Sequence, residues 1–238
     1  MKKMMILFPI MLAIQGSTPT PESRKFHGIA YDLKAGNLIY SENHTEYYSN
    51  GKHLRSIVLY ADPAGKVFAR KDIDFSRSET APDFTLVDYR DGYTEGSLFT
   101  AAGFDLFGQR NRSTEMKRRV LVIPEPAVVD GGFDYFVRQN WEKLAAGERI
   151  SVNFAVSIER DYFRFFIVKT GNGEVNGRRA LQLRLQIENV FLRSVVDPID
   201  ISYDVESKRL LLYRGMSNIN NERGKSYRAS VVFDYASQ

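Results

Sequence analysis

Asp72 and Asp74 stand two positions apart in a strand-like run, and Asp83, Asp88, Asp91 and Glu95 crowd the turn region that follows. Residues two apart on a strand share a face. Two carboxyls about 5–10 Å apart are the machinery of glycoside hydrolysis, so a carboxylate-dependent hydrolase is one reading. Acidic residues at strand ends are most often solvated charge, which makes it the lesser one. Histidine offers less, because the chain has only His27, His44 and His53. If Asn50-Gly51 is a hairpin turn, Tyr48 faces His53, Glu46 faces Arg55 and His44 faces Ile57. The imidazoles of His44 and His53 then lie about 13 Å apart at the strand rise. Zinc holds its His nitrogens at about 2 Å, so no metal site is expected. The chain has no cysteine, which removes thiol catalysis, Cys-ligated zinc and a disulfide scaffold. No G-x-S-x-G elbow occurs. Gly171-Asn172-Gly173 and Gly177 lie between strand-like runs, whereas a phosphate-binding glycine loop must lead into a helix. Neither an enzyme nor a cofactor is expected.

Basic residues cluster once. Gln109–Arg119 contains Arg110, Arg112, Lys117, Arg118 and Arg119 against the single acid Glu115. These five are candidate ligand-binding residues for an anionic headgroup, at about 1 kcal/mol per basic residue near a charged lipid surface. The plainer reading is a solubilising loop. Over the whole chain, 33 Lys+Arg against 29 Asp+Glu give a net charge of +4, too even for a nucleic-acid face. The 16 Phe, 13 Tyr and single Trp demand a large interior or line an apolar cavity.

The elements that must position these residues begin with a targeting segment. Lys2 and Lys3 precede an apolar run from Met4 to Ile14, the layout of a secretory signal peptide with cleavage after Gly16. The run is shorter than the roughly 20 apolar residues a membrane span needs, and no later stretch supplies one. Residues 17–25 read as a flexible lead-in, and residues 26–238 as one β-rich domain. Short runs of alternating apolar residues recur between turn residues, most clearly in Leu181-Gln182-Leu183-Arg184-Leu185-Gln186-Ile187, the mark of antiparallel strands with one wet face. One segment differs: Phe133, Phe136, Val137, Trp141 and Leu144 recur at helical spacing, with Asp130 as the expected N-cap and Gly147 as the stop. The fold class expected is mainly β, a strongly curved antiparallel sheet forming a half-barrel or open barrel around one central α-helix near 130–146.

That order of leader, hairpins, the Asp130–Leu144 helix and closing strands containing 197–204 and 213–219 resembles uncharacterised bacterial periplasmic β-rich proteins. It is similar in layout to the lipoprotein-localisation carriers. The resemblance implies a half-barrel whose cavity holds acyl chains; it assigns no functional residue. Without a lipobox cysteine, the soluble form is the one implied. The expectation is therefore a periplasmic protein (extracellular as the alternative) whose partner is an apolar or lipid-like ligand or an envelope protein, with no nucleic acid. A non-catalytic structural or interaction domain of the envelope is the alternative, recognisable by an exposed sheet edge or apolar patch.

Overall fold

The structure, a computed structural model, describes residues 22–235. The leader therefore lies outside the described residues. Among them is one sheet of 15 strands in the order β8-β7-β6-β5-β4-β3-β2-β1-β15-β14-β13-β12-β11-β10-β9. The strands are β1 Glu22–Asp32, β2 Leu38–Ser49, β3 Lys52–Ala61, β4 Val67–Asp74, β5 Asp83–Asp88, β6 Thr94–Thr100, β7 Gly103–Gln109, β8 Lys117–Leu121 and β9 Ala127–Val129. After the helical segment come β10 Ile150–Val156, β11 Asp161–Val175, β12 Arg178–Ile187, β13 Ile199–Asp204, β14 Leu210–Asn220 and β15 Ser226–Asp234. Every neighbouring pair is antiparallel except β9 with β10. Chain order thus follows sheet order outward from β1 in one direction and inward from β9 to β15 in the other. The curved sheet remains open, with β8 and β9 as its two edges.

Local chemistry explains the hairpins. Asn50 and Gly51 take φ of 50° and 74°, the left-handed pair that a two-residue hairpin turn requires. Tyr48 does face His53, but a bulge between Tyr47 and Tyr48 shifts the rest of the ladder. Glu46 then opposes Ser56 rather than Arg55, and His44 opposes Val58 rather than Ile57. A bulge inserts one unpaired residue and is invisible to alternation counted from the turn. β1 begins at Glu22, so the last four residues of the expected lead-in are strand.

The single expected helix is two short ones, α1 Gly132–Gln139 and α2 Trp141–Ala145, broken at Asn140. Asp130 does not cap α1; Gly131 occupies that position without a side-chain hydrogen bond. The Asp130 carboxylate is held instead by Lys71, whose Nζ donates to both oxygens at 2.9 and 3.0 Å. Gly147 ends the segment as expected, with φ of 90° and its N–H donating to the Leu144 carbonyl. Two short helices stand in place of the single central one expected, and α1 also reaches the β3–β4 side, with the Tyr135 ring 5.9 Å from His53 and 5.4 Å from Phe75. The helices pack at the end of the sheet carrying the β11–β12 and β13–β14 turns, where Lys169 Nζ donates to the Ala145 carbonyl and Lys208 pairs with Glu142.

Two apolar clusters result. One joins residues of β1–β5 and β7 with Ile219, Ala229 and Val231; the other joins Phe136, Val137, Trp141 and Leu144 of the helices to Val152, Ile167, Leu181, Leu183, Leu185, Ile201 and Tyr203. β9 lies between them, contributing Val129 to the first and Val128 to the second. Tyr213 packs against both.

Candidate functional site

Residues directly opposite on paired strands share a face. One such row crosses the inner face from Phe26 through His44, Val58, Lys71, Leu86 and Glu95 to Gly108. Over β3–β6 this face is sealed. Over the central strands β2, β1, β15 and β14 it is not: Phe26, Glu42, His44, Glu46, Tyr213 and Phe233 all remain partly exposed. Phe26 stacks on His44 with centroids 4.3 Å apart and on Tyr235 at 4.7 Å, and Phe233 meets the His44 ring at 5.8 Å. A cleft of about 380 Å³ opens beside them, lined by Val175, Arg178, Arg209, Leu211, Phe233 and Tyr235 among others. Its size falls in the range of about 300–1,000 Å³ typical of small-ligand sites. Arg209 lies over the Tyr235 ring at 4.8 Å, and Arg178 pairs with Asp204 at 2.9 Å.

Two charges of α1, Asp134 and Arg138, act electrostatically on Tyr235 at the edge of this region. Arg138 Nη2 and Asp134 Oδ2 form an ion pair at 2.5 Å. Burial raises the Asp134 pKa, opposed by the Arg138 charge, yet each side chain keeps about a third of its surface accessible. Tyr203 Oη and Asp134 Oδ1 are both enclosed, and hydrogen bonding from Tyr203 and Arg138 partly offsets the rise in the Asp134 pKa.

Deeper in the first cluster lies a charged group that the sequence reading did not assemble: Lys71, Asp130 and Glu95. Lys71 and Glu95 are both buried. Burial and the Asp130 charge push the Glu95 carboxyl up to about 7, while Lys71, Tyr93 and the Ile158 N–H pull it down. A carboxyl raised in the folded state costs stability once it ionises. Stability should thus be greatest below the ordinary glutamate range and fall as pH rises through 7, by about 3 kcal/mol from this group alone. Glu95→Gln is expected to flatten urea-melt stability between pH 5 and 8 by most of that amount, about 2 kcal/mol or more. An unchanged pH profile would show that Glu95 is ionised throughout.

The acidic group proposed for hydrolysis does not converge. Asp72, Asp74 and Asp83 alternate with inward residues and so point outward, whereas Asp88 is buried on the inner face. Asp72 is held by Arg70 and Arg55, Asp83 accepts the Phe99 N–H, and Asp88 pairs with Arg90 at 2.6 Å. A Ser–His contact that the sequence did not show does exist, with Ser56 Oγ 2.9 Å from His53 Nε2. The same Nε2 faces the Arg55 carbonyl at 3.1 Å, and Nδ1 faces Tyr135 Oη at 2.9 Å. A carbonyl only accepts, which assigns the proton to Nε2 and leaves no lone pair there to activate Ser56. Burial lowers the His53 pKa, keeping it neutral. Among the described residues no His/Asp/Glu group is arranged to hold a metal.

The five basic candidates sit at the other end of the sheet, on β8 and the loop before it, away from the cleft. Arg110 pairs with Glu159 at 2.6 Å, Arg118 with Asp105 at 2.5 Å and Arg119 with Asp161 at 3.3 Å. Arg112 donates to the Tyr89 carbonyl. Lys117 is exposed and has no ion pair among the described residues. The cleft's own residues carried no sequence signal, since they come from strand ends that only the sheet order brings together.

No protein-family model matches the chain, and no curated protein does. A β-barrel-like protein of a domain of unknown function, DUF1849, from Brucella abortus matches in structure with a TM-score of 0.50 at 7% identity, over 90% of this chain and 99% of that one. At that identity the likeness is one of fold. A domain provisionally assigned to the outer membrane lipoprotein-sorting proteins of Vibrio parahaemolyticus aligns over 91% of this chain and 83% of its own, at 11% identity and a TM-score of 0.29. A DUF1329 family protein from Desulfovibrio piger aligns over 92% and 85%, at 12% and 0.26. The last two scores establish no common fold.

Proposed function

We propose that this chain is an exported envelope protein, periplasmic after loss of its leader, that holds an apolar or lipid-like ligand against the inner face of its open sheet. The observation that carries this reading is the set of aromatic rings Phe26, Tyr213, Phe233 and Tyr235 left partly exposed on the inner face beside the cleft. Aromatic surface in water is unfavourable by about 25 cal/mol per Å², and a ligand that covers it recovers that free energy. The Lys2-Lys3 start and apolar run support export. Binding without covalent chemistry is the role that this lining suits.

Native mass spectrometry of the purified protein should show co-purified lipid, and a dansyl-labelled undecanoate should bind with a blue-shifted emission. Phe233→Ala should weaken that binding about tenfold or more, the scale of one buried aromatic ring. A clean apo mass together with no dansyl-undecanoate binding would overturn the reading. A second reading, an interaction domain, rests on the β12–β13 loop, where Val190, Phe191 and Val195 are 69%, 88% and 72% exposed. Such apolar patches mark partner surfaces. Phe191→Ser should then release the protein from the envelope fraction; unchanged fractionation removes this second reading.

A further inference from the structure

The two edges of the sheet differ. β9 is fully buried, whereas in β8 Lys117, Arg118, Arg119 and Val120 are all exposed and Leu121 partly so. Among the described residues β8 has one ladder partner, β7, with Phe104 opposite Leu121 and Gly108 opposite Lys117. On its other side every second residue presents an unpaired N–H and C=O. Exposed apolar side chains flank it, with Met116 at 38%, Val120 at 48% and Val122 at 75% exposure. A free edge with apolar side chains at hand is a template for an added strand.

We propose that the free edge of β8 binds an extended acidic segment of a partner protein by strand addition. Charge selects this occupant. Two copies of β8 pairing edge to edge would set Lys117, Arg118 and Arg119 against the same residues of the second copy, and like charges directly opposite disfavour pairing. The same three charges, with Arg110 and Arg112 in the preceding loop, attract an acidic strand. The ion pairs of Arg110, Arg118 and Arg119 leave those side chains between 50% and 62% exposed, and Lys117 carries no ion pair among the described residues. The inference is independent of the ligand reading, since the edge lies away from the cleft.

The test uses the purified full chain and two synthetic peptides, one of alternating Glu and Val, the other with Lys in place of each Glu. Amide hydrogen exchange should slow within Lys117–Leu121 on adding the Glu peptide and stay unchanged with the Lys peptide. Affinity for the Glu peptide should fall with added salt. In Lys117→Glu it should drop about tenfold, as expected when one attractive charge becomes repulsive, with the far-UV spectrum unaltered as a check on folding. Equal protection by both peptides, protection confined to other strands, no protection at all, or self-association through β8 would each overturn the proposal.

Discussion

Lys71→Met is expected to destabilise the protein by about 3–5 kcal/mol, the range for removing one partner of a buried ion pair. Lys71 is 8% exposed, and its ammonium donates to both Asp130 oxygens. Burial opposes its charge, but Asp130 and the hydrogen bonds outweigh that, and the Lys71 pKa ends above its ordinary value. Asp130 sits at φ of 41° where β9 turns into α1, so this contact fixes where the helices leave the sheet. Without the amine, the Asp130 carboxylate faces Glu95 with no compensating charge. Urea melts monitored by circular dichroism would read the loss. The double variant Lys71→Met/Asp130→Asn should recover a large part of it, because the Asp130 charge is removed together with its partner. Losses that simply add would show that the two residues act separately.

Trp141→Ala carries the second large effect, about 3–5 kcal/mol for a buried aromatic replaced in a core. Trp141 is 6% exposed and meets the Tyr203 ring edge-on with centroids 6.3 Å apart. Lys208 Nζ lies 5.4 Å from the Trp141 ring centroid. This one side chain therefore ties α2 to β13 and the β13–β14 turn. Trp141→Phe keeps the apolar contact and should restore more than half of the loss. A change below about 1 kcal/mol in Trp141→Ala, the level of surface substitutions, would mean that the helices contribute little to the second core.

Much of the sheet was legible in the chain. Alternation placed β2–β6, β8, β10, β12, β13 and β15 within a few residues and found the starts of β11 and β14, whose strands run on to Val175 and Asn220 beyond the expected ends at Thr170 and Arg214; Asn50-Gly51 marked the first hairpin. β7 was missed because Phe104, Leu106, Phe107 and Gly108 are all buried, which erases the period-2 signal. β9 was missed because three residues, Ala127–Val129, give no period to read. The helical stripe of Phe133, Phe136, Val137, Trp141 and Leu144 correctly marked a helical segment. It did not show the break at Asn140, whose side chain turns back to the Phe136 carbonyl at 2.9 Å. The basic cluster was visible because it is contiguous, but it lies away from the candidate site. The cleft residues and the Lys71–Asp130–Glu95 group come from strands far apart in sequence.

By itself the sequence determined the local terms: strand periodicity, turn residues, one helical stripe, the absence of thiol chemistry and a basic run near the middle. Each depends on residues within a few positions of one another, where backbone sterics and side-chain spacing act. Tertiary structure alone decided which strand became the free edge, which inner-face aromatics stayed uncovered, and which carboxylate met Lys71. Those outcomes follow from the order of the strands and the curvature of the sheet, and so from pairings made between distant segments.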